Sequence, residues 1–226
     1  LYWYPKISEL GIQTPKTVWV STSLKDMLDF LETGELPLKF HNEIHELAEE
    51  VGYPLFMRTD HYSAKHFYRE TCYVPNKHRL ITNLRNLVEY SFTADILGLP
   101  INAVVLREYI NLKSGFKAFN GLPIAKERRY FIRDGNVVCH HPYWISDAIR
   151  FWHDTVPPPN WDRLLQELNT ETSDEVELLT SHAEKVARVL HGYWSVDFAQ
   201  AEDGTWYLID MARGEMSWHP KHTEDS

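Results

Sequence analysis

The chain holds 226 residues, with 32 Asp and Glu against 23 Lys and Arg, two cysteines and 43% hydrophobic side chains. That size and apolar share suit one large domain or two small lobes with a proper core, and exclude a disordered or fibrous chain. A formal charge of −9 argues against bulk binding to nucleic acid or an anionic membrane, and no apolar run reaches the ~18–20 residues that cross a bilayer.

Charge is unevenly spread. Residues 1–50 carry nine acidic and four basic side chains, residues 51–135 seven and thirteen, and residues 136–226 sixteen and six. A basic middle between acidic ends is either surface colouring or the grip for a compact anion. Cys72 and Cys139 lack the paired spacing of zinc or redox motifs and fit a reducing, cytoplasmic setting. The chain opens at Leu1 with no signal-peptide pattern and no initiator Met, which leaves room for upstream residues.

In chain order, LYWYPKISEL reads as a short helix or turn, followed by a β-branched and aromatic strand at Thr17–Ser21. Ser23 is placed to cap a helix through Leu31, with Leu24, Met27, Leu28 and Leu31 at helical spacing; Gly34 and Pro37 break it. A second helix is expected over His41–Val51, stopped by Gly52. Pro54–Thr59 reads as a strand, Asp60–Lys65 as a polar loop and Thr71–Val74 as a short strand. Lys77–Leu97 reads as a long helix, and Asn102–Ile110 as a near-continuous apolar strand. Gly98 and Pro100 mark the expected boundary, giving a lead-in (1–16), a small α+β lobe (17–100) and a larger antiparallel lobe (101–226). Two Asp-Gly turns, Asp134–Gly135 and Asp203–Gly204, each sit between strand-like runs and predict hairpins. Pro157–Pro159 reads as a stiff loop, and Thr172–His191 as a helix with Val176, Leu179, Ala183, Val186, Ala187 and Leu190 inward.

The final hairpin carries the most chemistry. Asp197 and Asp210 lie six residues before and six after the Asp203–Gly204 turn, so they are expected to be near cross-strand neighbours. Like charges directly opposite are destabilising unless something positive lies between them. A divalent cation such as Mg²⁺ suits two carboxylates, and an arginine such as Arg213 is the alternative.

An aspartate strand, an Asp-Gly turn and an apolar strand ending in an acid resemble the metal-binding hairpin of the ATP-grasp superfamily. There the second strand commonly reads Glu-x-Asn; here those positions are Asp210 and Ala212, and Glu215 is the nearest further carboxylate. The resemblance extends backwards. GYPLFMRTDHYSAKHF (52–67) is similar to the entry strand and phosphate-covering loop, with Arg58 on the strand and Lys65 on the loop. VVLREYI (104–110) resembles the inter-lobe hinge, which implies adenine recognition around Glu108, Tyr109 and Ile110. IAKERRYFIRDGNVV (124–138) is similar to the next strand, with Glu127 toward the ribose and Arg129 on the same face. Arg58, Lys65, Lys126 and Arg129 look most like the clade named for one arginine and two lysines. That clade has bacterial and viral members and a eukaryotic assembly factor for a translation initiation complex.

The resemblance implies an α+β ATP-grasp fold with ATP in the cleft between two antiparallel lobes. It implies Arg58, Lys65, Arg107 and Lys126 on the phosphates, and Mg²⁺ held by Asp197, Asp210 and Glu215. The implied reaction is a ligation that activates a carboxylate as an acylphosphate for attack by an amine, on a small molecule, peptide or protein. Lys65, Arg129 and Arg213 are the expected catalytic cations. The alternatives are an ATP-binding assembly factor without ligation, or an ATP-dependent phosphotransferase. Relatives place a further domain ahead of the nucleotide lobes, whereas only ~15 residues stand there here, too few for a βαβ unit.

The histidines have blander readings. His41 and His45 have metal-pair spacing on an expected exposed helix, and His140, His141 and His219 either line an acceptor pocket or make structural hydrogen bonds. Cys139 reads as a small buried strand residue before it reads as a nucleophile.

Overall fold

The computed structural model describes residues 2–94, 99–150 and 156–220. Two antiparallel four-stranded sheets, each with its own helices, frame the molecule, and a two-stranded hairpin bridges them.

The first sheet has the order β1 (Thr17–Ser21), β4 (Ala103–Glu108), β2 (Leu55–Thr59), β3 (Tyr73–Val74). Three helices back it: α2 (Leu24–Thr33), α3 (Leu38–Val51) and α4 (Leu80–Ala94). Ser23 caps α2 as its position predicts, its Oγ accepting from Asp26 N at 3.1 Å, and Gly34 ends that helix with φ of 80°. Met27, Phe30, Ile44, Leu84 and Leu87 meet Met57 and Leu106 in one core. The expected helix from Lys77 begins with a 3-10 turn, Lys77–Arg79, and its expected end at Leu97 lies outside the described residues.

One boundary needs correcting. β4, expected to begin the large lobe at residue 101, pairs with β1 and β2 in the first sheet. Its side chains are apolar on both faces because it is a central strand, and that pattern alone does not tell which sheet owns it. The chain crosses after Glu108.

The second sheet has the order β10 (Trp206–Arg213), β9 (Tyr193–Gln200), β7 (Glu127–Arg133), β8 (Asn136–Pro142). Helix α7 (Ser173–Val189) and the short α1 (Tyr4–Ile7) cover one face, where Tyr130, Ile132, Val196, Phe198, Leu208 and Met211 are buried. The other face looks into the cleft. A third cluster joins β5 (Ser114–Ala118), β6 (Leu122–Ala125), α5 (Ser146–Arg150) and α6 (Trp161–Asn169) through Phe116, Ile124, Ile149 and Leu165, and reaches Tyr68 and Cys72 of the first lobe. This hairpin, α5 and α6 have short or mixed patterns and were not anticipated from the sequence.

Candidate functional site

Strand alternation builds the site. On β7, Glu127 and Arg129 point to the cleft, while Arg128 between them is fully buried on the helix side. Register then sets a row across the sheet. His141 pairs with Arg129, Arg129 with Asp197, and Asp197 with Asp210. The expected pairing of the two aspartates is met by a different turn from the one their spacing suggests. Ala201 N donates to Thr205 O, so the loop has three residues, with Gly204 at φ of 90°. A bulge at Ile209 then restores the offset and sets Asp210 opposite Asp197. Asp134 and Gly135, both at positive φ (46° and 93°), make the two-residue turn that their sequence predicts.

Each aspartate meets an arginine. Asp197 accepts a bidentate pair from Arg129, Nε and Nη2 each at 2.7 Å. Asp210 accepts from Arg58 Nη1 of the other lobe at 2.5 Å. Asp60, two residues beyond Arg58, accepts from Asn102 and pairs with His61. Burial pushes the Asp197 carboxyl above its ordinary range despite Arg129. Burial acts on Asp210 too, but Arg58 and Arg107 outweigh it and hold that carboxyl low. Arg107 is buried, donates to the Ile209 carbonyl at the bulge, and is brought down to about 10 by burial and the neighbouring Arg58 charge.

Lys65 crosses between the lobes. It donates to the Tyr143 hydroxyl and lies 4.1 Å and 5.0 Å from the Tyr143 and Trp144 ring centres. Burial opposes its charge, yet Tyr143 and the Glu127 carboxylate raise its pKa. Glu127 accepts from Trp144 Nε1 at 2.8 Å, and burial pushes its carboxyl up to about 7. In the loop ahead of Lys65, Ala64 takes the left-handed conformation, with φ of 49°.

Most of these groups line one cleft that opens to solvent. Its lining has a charged part, Arg58, Lys65, Arg107, Glu127, Asp197 and Asp210, and an apolar part, Phe56, Tyr109, Ile110, Leu112, Leu122 and Pro123, which meet where Phe56 pairs with Arg107. Glu108 stands at the rim and accepts from Lys16 N at 3.2 Å.

Three expected site residues are elsewhere. Lys126 binds Glu175 at 2.5 Å and the Thr170 carbonyl, on the helix side with Arg128, because it lies an odd number of residues from Glu127. Arg213 is exposed and lies 4.5 Å from the Trp194 ring centre at the far end of β10. Glu215 is exposed on the 3-10 turn Gly214–Met216, where the chain has left the sheet. Among the described residues no group of three His, Cys, Asp or Glu side chains converges, so neither Glu215 nor the His41–His45 pair completes such a cluster. The sequence reading missed Tyr143 and Trp144 as partners of Lys65; their position just past β8, on the Glu127 side, was the available signal.

A profile of the ATP-grasp domain, family 3 of the clade named for one arginine and two lysines, matches residues 46–226. The chain belongs to that family. No curated protein sequence matches it. Among solved structures it is similar to Cdc123 from Schizosaccharomyces pombe, with 13% identity, a TM-score of 0.55, and coverage of 93% of this chain and 81% of that one. It is also similar to the VanG D-Ala:D-Ser ligase of Enterococcus faecalis, with 16% identity, a TM-score of 0.52 and coverage of 93% and 50%. The N5-carboxyaminoimidazole synthetase of Staphylococcus aureus, complexed with ADP, gives 14%, 0.51, and 93% and 43%. These likenesses establish the ATP-grasp fold, and this chain spans half or less of the two ligase-type chains.

Proposed function

We propose that the chain binds Mg·ATP in the cleft and uses it to activate a carboxylate as an acylphosphate for attack by an amine. The observation that carries this is the polarity of the cavity. Apolar side chains around Tyr109 and Ile110 suit a purine, and the charged lining sets Arg58, Lys65 and Arg107 against two aspartates in register. ATP would supply the phosphoryl group, and Mg²⁺, held by Asp210 Oδ2 and by the lone pairs that Asp197 keeps beside its Arg129 pair, would neutralise charge on it. Arg58 and Lys65, one from each side of the phosphate-covering loop, would orient the triphosphate. Arg129, fixed by Asp197 and lying 4.5 Å from the Tyr143 ring centre, would hold the acceptor carboxylate. Two free cysteines suit a reducing, cytoplasmic setting, and no described helix is long and apolar enough to cross a membrane.

Titration calorimetry with ATP, in Mg²⁺ and then in EDTA, tests the metal assignment. In the parent protein Mg²⁺ should tighten ATP binding at least about tenfold, since opposed carboxylates repel an unneutralised triphosphate. In Asp210→Asn that ratio should fall toward unity. An unchanged ratio in the variant would sink the assignment of Asp210. Release of ADP, assayed across pools of carboxylates and amines, tests the reaction.

A second reading, an ATP-binding assembly factor without ligation, is favoured by the arginine-locked aspartates and by the absence of a third carboxylate beside them among the described residues. It is distinguished by nucleotide binding with no substrate-stimulated turnover. Phosphorylated product without ligation would instead identify a phosphotransferase.

A further inference from the structure

The row of paired residues does not stop at the aspartates. Its fourth member, His141, stands on the edge strand β8 opposite Arg129, on the face that carries Asp197 and Asp210. Two strand spacings place its backbone about 10 Å from that of Asp197. The ring has one satisfied nitrogen. Nδ1 lies 2.7 Å from the Pro142 carbonyl, which only a protonated nitrogen can use, so the lone pair of the neutral ring resides on Nε2. Nε2 is buried and makes no hydrogen bond with any described residue. Buried acceptors are seldom left unpaired, and one that continues a row of site residues asks for a ligand. The ring faces Arg129 and Phe131 on β7, His140 on its own strand, and Trp218 and His219 of the terminal segment. Burial, Arg129 and the neighbouring histidines outweigh the Pro142 bond and keep the imidazole neutral.

We propose that His141 is the proton acceptor for the amine half of the reaction, an assignment that rests on the ligase reading. The amine lone pair forms the C–N bond at the activated acyl carbon, the C–O bond to phosphate breaks, inorganic phosphate leaves, and the nitrogen's proton passes to His141 Nε2. Trp218, 48% exposed, stands perpendicular to the imidazole with ring centres 5.4 Å apart, and the amine reaches Nε2 by turning that indole aside. Sites for amine and carboxylate then adjoin along one row, with Arg129 between the base and the aspartates.

The test compares two nucleophiles in His141→Gln, which keeps polarity and similar bulk but removes the base. ADP and product are measured with Mg·ATP, a pool of amino-acid carboxylates, and either glycinamide or hydroxylamine, which is unprotonated at neutral pH. The glycinamide reaction should fall by about 100-fold or more, while the hydroxylamine reaction stays within a few-fold and ATP affinity is unchanged. Equal loss with both nucleophiles would mark a structural role, and no loss with either would also overturn the assignment. If the parent releases no ADP with any carboxylate, the ligase reading fails and His141's role falls with it. Independently of turnover, ¹⁵N imidazole spectra of the parent at pH 7, assigned by the signal missing in His141→Gln, should show a neutral ring protonated at Nδ1. A ring protonated at Nε2 would remove His141 alone and leave the ligase reading standing.

Discussion

At the scale of single residues, Glu127 is the group whose environment departs most usefully from water. Its carboxyl is buried beside Trp144 and Lys65, and its pKa of about 7 replaces an ordinary 4.5. The folded protein therefore holds this proton more tightly than the unfolded chain does. Stability from this group is fully present below the ordinary value and is lost as pH rises from 4.5 through 7. The loss is on the order of 3 kcal/mol across that window. Urea melts of the parent, compared with Glu127→Gln, should show the difference in stability shifting toward the variant as pH rises. Parallel profiles across the window would place the Glu127 carboxylate in a solvated setting. The sequence showed that Glu127 and Arg129 share a face, because period two needs nothing more. It did not show the burial, since that comes from Trp144 and from a Lys65 that is distant along the chain.

At the scale of elements, β7 carries the site because the helix side holds it. Arg128 Nη1 donates to the Glu127 carbonyl, Nη2 donates to the Leu168 and Thr170 carbonyls at 3.0 Å and 3.1 Å, and Nε meets Glu171 and Glu175 at 3.0 Å and 2.7 Å. Lys126 adds a second bond to Glu175, and His140 pairs with Glu171. One guanidinium thus fastens the end of α6 and the start of α7 to the strand whose opposite face bears Glu127 and Arg129. Arg128→Met should cost about 3–5 kcal/mol, because it leaves two carboxylates facing a buried gap rather than because the pair is intrinsically strong. A chevron or equilibrium urea melt reads that loss, and a change under about 1 kcal/mol would mean that Lys126 alone compensates both acids. This cluster also marks where sequence reading reached its limit. The two hairpins at Asp134–Gly135 and Asp203–Gly204 were legible, because Asp-Gly turns and β-branched runs are local signals. The bulge at Ile209 was not. It is offset by the longer turn at Gly204, so two departures cancel and the aspartates pair as a simpler count suggests. Lys126 was read toward the phosphates for its charge, whereas its parity on the strand sets it beside Glu175.

At the scale of the molecule, the charge partition becomes a division of labour across the cleft. The first sheet brings Arg58 and Arg107, the second brings Asp197 and Asp210, and the lobes meet through Arg58–Asp210, Arg107 with the Ile209 carbonyl, and Lys65 with Tyr143. On the proposed function, each half of Mg·ATP would fit one side only. The triphosphate alone adds negative charge beside two aspartates, and the metal alone competes with arginines already in place. Stabilisation should therefore be synergistic. With Mg·ATP at 100 times its Kd, the folded state gains about 2.7 kcal/mol, which for a chain of this size raises Tm by about 5–10 °C. Mg²⁺ alone, and ATP in EDTA, should each give a small fraction of that shift at the same concentrations. Raising the salt should weaken the contacts between the lobes, and with them the ligand-free Tm, more than it weakens the liganded form, whose bridging charges are sheltered from the ions. Differential scanning fluorimetry over the four combinations of metal and nucleotide measures this directly. Additive shifts would mean that the aspartates and the basic strand serve separate ligands, and that one cleft does not gather both halves of a single one.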